Sequence, residues 1–376
     1  MTKPLPSKTE KLMVFFGGFD CVSSCMEKHA EAQEKKRRQK SPATPIRISE
    51  LVGPISEMRK KILDTLNARA DVEHVCDLYD RPVIDIHSMS LFEPIVFDLR
   101  IPPSTQRMSH GLLSDDSASV QDFTLAYDGK VLMIAAFTPL RKRPRGILDA
   151  RDKFEELLKS TCDAEHCAPC MTHQAIVFVR ERTPFRQDQG DVYLPFIAGL
   201  DKIGHLRRLH TTLGRQLVQF YTATALRLDA TRTAIGIQTT ERDLLKEKKS
   251  FMTAKWYHPI AKKRIEGGLR RLCVEILASI SAYLVHARGL SEARQAVQED
   301  MAHNALFKRL MDAVKVEEYT SAESVDVESV MKVVEHVERE LETYSINSSS
   351  VVSAILGGVV GSLLGILASY ATGFLR

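Results

Sequence analysis

Five residues in one short stretch have the types that hold a metal ion. The segment "CDAEHCAPCMTH" carries Cys162, His166, Cys167, Cys170 and His173. Thiolate and imidazole suit zinc, and the Cys167-x-x-Cys170 spacing lets two sulfurs grip one ion. A compact site joining Cys162 or His166 to Cys167, Cys170 and His173 would pin the helix before it to the strand after it. The distant second ligand pair is missing, so this is not a standard zinc finger; if zinc binds here, a structural role comes before a catalytic one. Incidental thiols in a loop are the alternative. Cys21 and Cys25, on an expected helix, are a weaker pair for metal or redox chemistry.

Other catalytic signatures are missing from the sequence. It has no GxSxG, no HExxH and no kinase-type motif. The stretch "FFGGFD", read as a strand, a Gly17-Gly18 turn and the start of a helix, could approach a phosphate through backbone N–H groups. It lacks the lysine and Ser/Thr of a P-loop and the third glycine of a dinucleotide fingerprint, so a structural turn is the preferred reading. Asp85 and Asp98 fall on strand-like stretches and are either surface acids or members of a site. No catalytic or cofactor-binding residue is assigned.

The strongest chemical pattern is one of missing side chains. Ser353, Gly357, Gly361, Gly365, Ser369 and Gly373 recur every fourth residue within residues 351–375, which carry no formal charge. As a helix this segment measures about 37 Å, enough to cross a hydrocarbon core of about 30 Å. Apolar side chains gain little by leaving lipid for one another, so helices associate in a bilayer through close backbone approach, which small residues permit. Ala354, Gly358 and Ser362 form a shorter second ladder beside the first. The sequence therefore predicts one C-terminal transmembrane helix that self-associates. A plain anchor and a buried core helix are the alternatives.

Residues that could sit at a membrane surface lie upstream. From 201 to 271 Lys and Arg outnumber acids, and Trp256 stands beside Lys255, Lys262, Lys263 and Arg264, a composition that suits an interfacial belt. A solvated helix face is the competing reading; with the tail in a bilayer, anionic lipid rather than nucleic acid is the expected partner of this patch. From 317 to 342 the balance reverses, with Lys332 and Arg339 the only basic residues. There Val327, Val330, Val334, Val337 and Leu341 alternate spacings of three and four, the a/d seam of a short coiled coil. Thr320 and Glu323 are a possible capping box at its start. One amphipathic helix packed on the preceding domain is the competing reading.

These residues need elements to position them. The chain of 376 residues, net charge +4, is long enough for about two domains. Seven cysteines, an odd number, argue for a reducing compartment rather than a disulfide framework. The apolar run after the N-terminal lysines is too short for a secretion signal and reads as a buried strand, which leaves the bulk of the chain cytoplasmic. "VEHVCDLYD", "FEPIVFDLRI" and "QAIVFVRER" read as strands, "ISELVGPISEMRKKILDTLNARA" as one or two helical pieces and "RGILDARDKFEELLKS" as a helix. Asp128-Gly129, between two extended arms, predicts a tight hairpin with positive φ angles. After Pro195 the apolar spacing becomes helical, with breaks expected at Pro259 and Gly289.

The expected architecture is a mixed α+β domain over residues 1–195 and an all-helical domain with a basic surface over 196–319. An acidic coiled-coil stalk (320–347) and the transmembrane helix (348–376) follow. The function this organisation suggests is a tail-anchored membrane protein whose sensor module, answering an unidentified signal or protein partner, controls assembly of copies of the tail helix. By architecture alone it resembles the pore-forming or membrane-disrupting effectors of cellular defence systems. A membrane-anchored enzyme or nucleotide-binding protein is one alternative; a scaffolding component is another.

Overall fold

The computed structural model describes residues 10–19, 48–79, 92–101, 121–140, 142–144, 146–162, 170–179, 190–253, 259–321 and 324–344. It divides into two compact units, Met1–Thr222 with Gln295–Glu318, and Ala223–Arg294 with Tyr319–Arg376. The N-terminal half is mixed α and β and the second half is helical. The divisions between the units fall inside the helices Lys202–Thr253, Pro259–His303 and Val316–Thr320.

The first unit is built on a seven-stranded sheet in the order β2-β3-β4-β5-β1-β6-β7. The strands are β1 (Glu10–Gly18), β2 (Val72–Asp77), β3 (Ile95–Ile101), β4 (Gln121–Tyr127), β5 (Val131–Pro139), β6 (Cys170–Val179) and β7 (Val192–Pro195). Neighbours are antiparallel except β6 and β7, which are parallel. β1 lies between β5 and β6 and is buried from Lys11 to its end, which explains its unbroken apolar run. An interior strand covered on both faces has no polar side to alternate with.

One face of the sheet carries α1 (Ile48–Asn67) and α2 (Ile147–Cys162). α1 is a single helix that continues through Pro54. It presents Ile55, Met58, Ile62 and Leu66, and α2 presents Ala150, Phe154, Leu157 and Leu158, to a core with Phe97, Phe123, Leu125 and Ile134. Both stripes follow the three-and-four spacing of an amphipathic helix. The Phe154 ring meets Tyr127 edge-on at 5.0 Å and Phe19 at 5.5 Å between centroids. Arg69 donates to Asp71 at 2.9 and 3.0 Å, and Lys153 donates to it at 2.9 Å, tying the end of α1 to α2. The Arg69 bonds, with those of Lys153 and against partial burial, hold the Asp71 carboxyl well below the usual range.

The other face is crossed by the first part of α3 (Lys202–Thr253), whose Leu206, Leu209, Leu213, Leu217 and Phe220 are buried. Here the structure corrects the Gly17-Gly18 turn. Both glycines lie inside β1, with Gly17 opposite Leu132 and Met171, and Gly18 opposite Val131 and Cys170. A Cβ on Gly18 would sit 2.6 Å from two atoms of the Tyr221 ring. Glycine stands there so that an aromatic ring can lie on the strand, and the strand-paired backbone is not a phosphate cradle. The β4–β5 hairpin forms where Asp128-Gly129 predicted it, with a different turn. Gly129 alone takes a positive φ, 90°, while the Asp128 carboxylate accepts from the backbone N–H groups of Lys130 and Val131 at 2.9 and 2.6 Å.

The second unit is a helical bundle. α4 (Pro259–His303) begins at the predicted Pro259 break but runs straight through Gly289, where a Cβ would meet Leu226 at an ordinary 3.4 Å. α5 (Ala305–Val314), which belongs to the first unit, follows, capped by Asn304, whose side chain accepts from Leu306 and Phe307 N–H; the chain re-enters the second unit within α6 (Val316–Thr320). α7 (Val327–Tyr344) closes the described chain. Asp326, not Thr320, caps it, accepting from Ser329 N–H at 3.1 Å; Glu323 lies outside the described residues. Ala230, Ala234, Ile237 and Leu244 of α3 pack with Leu269, Cys273, Ile276 and Ile280 of α4 and with Val330, Val334, Val337 and Leu341 of α7. Burial, then the charge of Glu338, pushes the Cys273 thiol up to about 12, so it serves as a small apolar filler.

The expected coiled-coil stalk is therefore corrected. Val334 and Val337 are each 1 % exposed and their seam is covered by α3 and α4 of the same chain; Val327 is partly buried against the same cluster. A stripe of valines at a/d spacing is satisfied by any two helices that cover it, and two lie next to it in the chain. The acids of α7 also find partners: Glu340 pairs with Lys248 at 2.9 Å, and Lys332 and Arg339 bind Glu328 and Glu335 one turn away.

Candidate functional site

The sequence-predicted ligands are divided by the fold. Cys162 ends α2, and Cys170 and His173 lie on β6, so the segment does join the helix to the strand. The side chains of these three, and all of His166 and Cys167, are outside the described residues. Among the described residues no group of three His, Cys, Asp or Glu side chains is placed to hold a metal ion. The small-residue ladder from Ser353 to Gly373 also lies outside them, and among the described residues no helix is long and apolar enough to cross a membrane.

The basic patch is partly described. Lys263 and Arg264 are exposed on the first turns of α4; Lys255, Trp256 and the side chain of Lys262 lie outside the described residues. The bundle's geometry says what is near them. A Cβ on Gly268 would sit 3.4 Å from Glu247, and Gly289 faces Leu226, so α4 runs back antiparallel to α3. Arg227 Nε donates to the Ser321 carbonyl at 2.8 Å and Lys248 pairs with Glu340, so α7 runs in the same sense as α3. α7 thus finishes, at Tyr344, at the end of the bundle where α3 stops and α4 begins with its exposed lysine and arginine.

A second constellation, not anticipated from sequence, lies on the α3 face of the sheet in the first unit. Asp98 and Thr124 face each other across β3 and β4; the Thr124 hydroxyl donates to Asp98, and Lys202 Nζ donates to the Thr124 hydroxyl at 3.1 Å. His74, at φ 53° beside an irregularity in the β2–β3 ladder, lies 3.3 Å from the other Asp98 oxygen. Asp98 is thus a member of a partly exposed polar cluster.

Further along the same face, Asp128, His210 and Tyr79 form a chain. Asp128, 5 % exposed, has one oxygen occupied by the two hairpin N–H groups and turns the other to His210 Nε2 at 3.1 Å. A neutral imidazole beside an ionised carboxylate carries its hydrogen on the facing Nε2, and Nδ1 is then an acceptor. Tyr79 Oη lies 2.7 Å from that Nδ1 and 3.2 Å from the exposed Thr211 hydroxyl. Gly214, one turn beyond His210, leaves room for the imidazole: a Cβ there would meet the ring at 3.3 Å. Arg207 Nε donates to the carbonyl of Leu78, beside Tyr79, at 2.7 Å.

His205, five residues earlier on α3's inner side, is different. It is fully buried between the rings of Phe178 and Phe196, its Nε2 accepts from Ile197 N–H at 3.3 Å, and its Nδ1–H donates to the Asp201 carbonyl at 2.8 Å. Burial lowers its pKa. It is a neutral packing group.

The Asp128–His210–Tyr79 set escaped sequence reasoning because its members stand 82 and 131 residues apart. The one local signal was Asp128 itself, read as a turn former. No protein-family model, no curated protein and no solved structure matches this chain.

Proposed function

We propose that this chain is a membrane-acting protein whose uncharged C-terminal segment enters a bilayer and packs against copies of itself along its small-residue ladder. The two folded units restrain or direct that step. The observation that carries the reading is a coincidence of position. α7 finishes at the end of the bundle that exposes Lys263 and Arg264, and in sequence the uncharged stretch begins seven residues after Tyr344. Basic side chains beside an emerging apolar segment suit a surface of anionic headgroups, each contributing roughly 1 kcal/mol near the surface. Burial of the α7 valines supports a role for α7 as a tether between tail and bundle, which leaves the tail as the element through which copies associate.

Leakage of a trapped dye from vesicles containing anionic phospholipid tests the proposal. The full-length chain is expected to bind and permeabilise them, and a chain ending at Ile346 to do neither. Replacing Gly357, Gly361 and Gly365 together by leucine keeps the segment apolar and removes the close-approach edge. That variant is expected to bind vesicles, remain monomeric and release no dye. Full leakage by the leucine variant would refute assembly through the ladder, and equal membrane binding by the truncated chain would refute the role of the tail.

A further inference from the structure

We infer that Asp128, His210 and Tyr79 form a proton relay that makes the Tyr79 hydroxyl a nucleophile toward a phosphoryl group. The inference is independent of the membrane reading, since all three residues belong to the first unit. Three features of the chain point the same way. Its burial is graded, from an Asp at 5 % exposure, through a His side chain at 16 %, to a phenol that is partly open to solvent. Its polarity is fixed: the two hairpin N–H groups anchor the carboxylate, the carboxylate selects the Nε2–H tautomer, and Nδ1 is then aimed at Oη at 2.7 Å. The order orienting acid, base, hydroxyl is the one that nucleophilic catalysis requires of unreactive alcohols. A tie meant only to hold the Tyr79 segment to α3 is already supplied by Arg207 on the Leu78 carbonyl. That same guanidinium, one residue from Tyr79, favours an anionic electrophile, and an aryl oxide is a good match for the displacement of an alkoxide or aryl oxide from phosphorus.

The step balances without a co-reactant. Tyr79 Oη bonds to phosphorus as its proton passes to His210 Nδ1, and the imidazolium is stabilised by Asp128. The bond from phosphorus to the leaving oxygen breaks with its electron pair on the face opposite Oη, and that oxygen takes its proton from solvent. Water then attacks phosphorus from that open face, giving its proton to solvent, and the imidazolium returns its proton to Oη as the bond from phosphorus to Oη breaks.

The test uses the full-length chain in detergent and three probes. An alkyl fluorophosphonate is expected to form an adduct on Tyr79, with loss of fluoride, on the order of 100-fold faster than on any other of the nine tyrosines. Bis(p-nitrophenyl) phosphate is expected to release p-nitrophenolate with the same residue modified, both read by peptide mass spectrometry. His210→Gln keeps a polar bridge between Asp128 and Tyr79 but cannot accept a proton, and Asp128→Asn places a donor against Nε2 and reverses the tautomer. Both variants, with circular dichroism unchanged, are expected to label Tyr79 no faster than the other tyrosines. Even labelling across all tyrosines, or undiminished labelling of Tyr79 in a folded His210→Gln chain, overturns the relay. Modification of Tyr79 by p-nitrophenyl acetate but not by the phosphodiester overturns the phosphoryl assignment.

Discussion

Truncating the α7 seam separates packing within the chain from pairing between chains. Val334 and Val337 are each 1 % exposed against α3 and α4. Val→Ala at either site removes two methyl groups, about 1.6 kcal/mol of transfer free energy. The residual cavity brings the loss to roughly 2 kcal/mol. The two positions share one seam and hence part of one cavity, so the double variant is expected to lose about 3 kcal/mol, less than the independent sum of about 4 kcal/mol. A loss of 2 kcal/mol is about a thirtyfold change in the folding equilibrium. Urea unfolding of the chain ending at Ile346, followed by circular dichroism and by hydrogen exchange of α7, measures it. Packing inside one chain makes the loss independent of protein concentration and leaves the mass in light scattering unchanged. A chain that keeps its unfolding midpoint while an assembly dissociates on dilution would refute the intramolecular seam and restore the stalk.

Gly18→Ala puts a methyl group 2.6 Å from the Tyr221 ring in the middle of the sheet, so a loss of about 1–3 kcal/mol is expected, with much of it recovered when Tyr221→Ala is added; a melting temperature unchanged by Gly18→Ala would show that the ring does not lie there. Acid acts with opposite sign in the two units. His205 has a lowered pKa in the fold, so the unfolded chain binds the extra proton and the first unit loses stability as pH falls below about 6.5. Glu338 has a raised one, from burial first and then Glu342, so its contribution is present below the ordinary carboxylate range and lost as pH rises through the folded value. Glu338→Gln is therefore expected to stabilise α7 at pH 7 and to lose that advantage below pH about 4.5, as read by hydrogen exchange; equal stability of both chains at pH 7 would count against it.

Elements with one strong local cause were legible in the sequence. The apolar run of β1, the Asp128-Gly129 hairpin, the helical spacing of α2 and α3 and the Pro259 boundary all appear in the fold. The errors came where a local pattern has two physical solutions. Gly17-Gly18 reads as a turn when the Tyr221 ring that needs the space is unknown, and Gly289 reads as a break when Leu226 is unknown. The hairpin turn differed because Asp128 supplies a carboxylate rather than a second positive φ. Of the polar chain on the sheet, nothing but Asp128 stood out, since hydrogen bonds between residues so far apart in sequence leave no spacing to read.

The sequence alone determined the chemistry of each segment: an uncharged tail with a glycine ladder, a basic stretch, an acidic stretch with a valine stripe, and a mixed half followed by a helical one. These follow from side-chain type and period, which are local properties. Which segments meet was decided only by tertiary structure. The acidic stripe is covered by the basic helices of its own chain, through Lys248 and Glu340 and through the shared apolar core, and a turn-forming aspartate became the anchor of a histidine 82 residues away. Burial and hydrogen bonding are satisfied by whatever partner the whole fold brings near, and a one-dimensional pattern names the need without naming the partner.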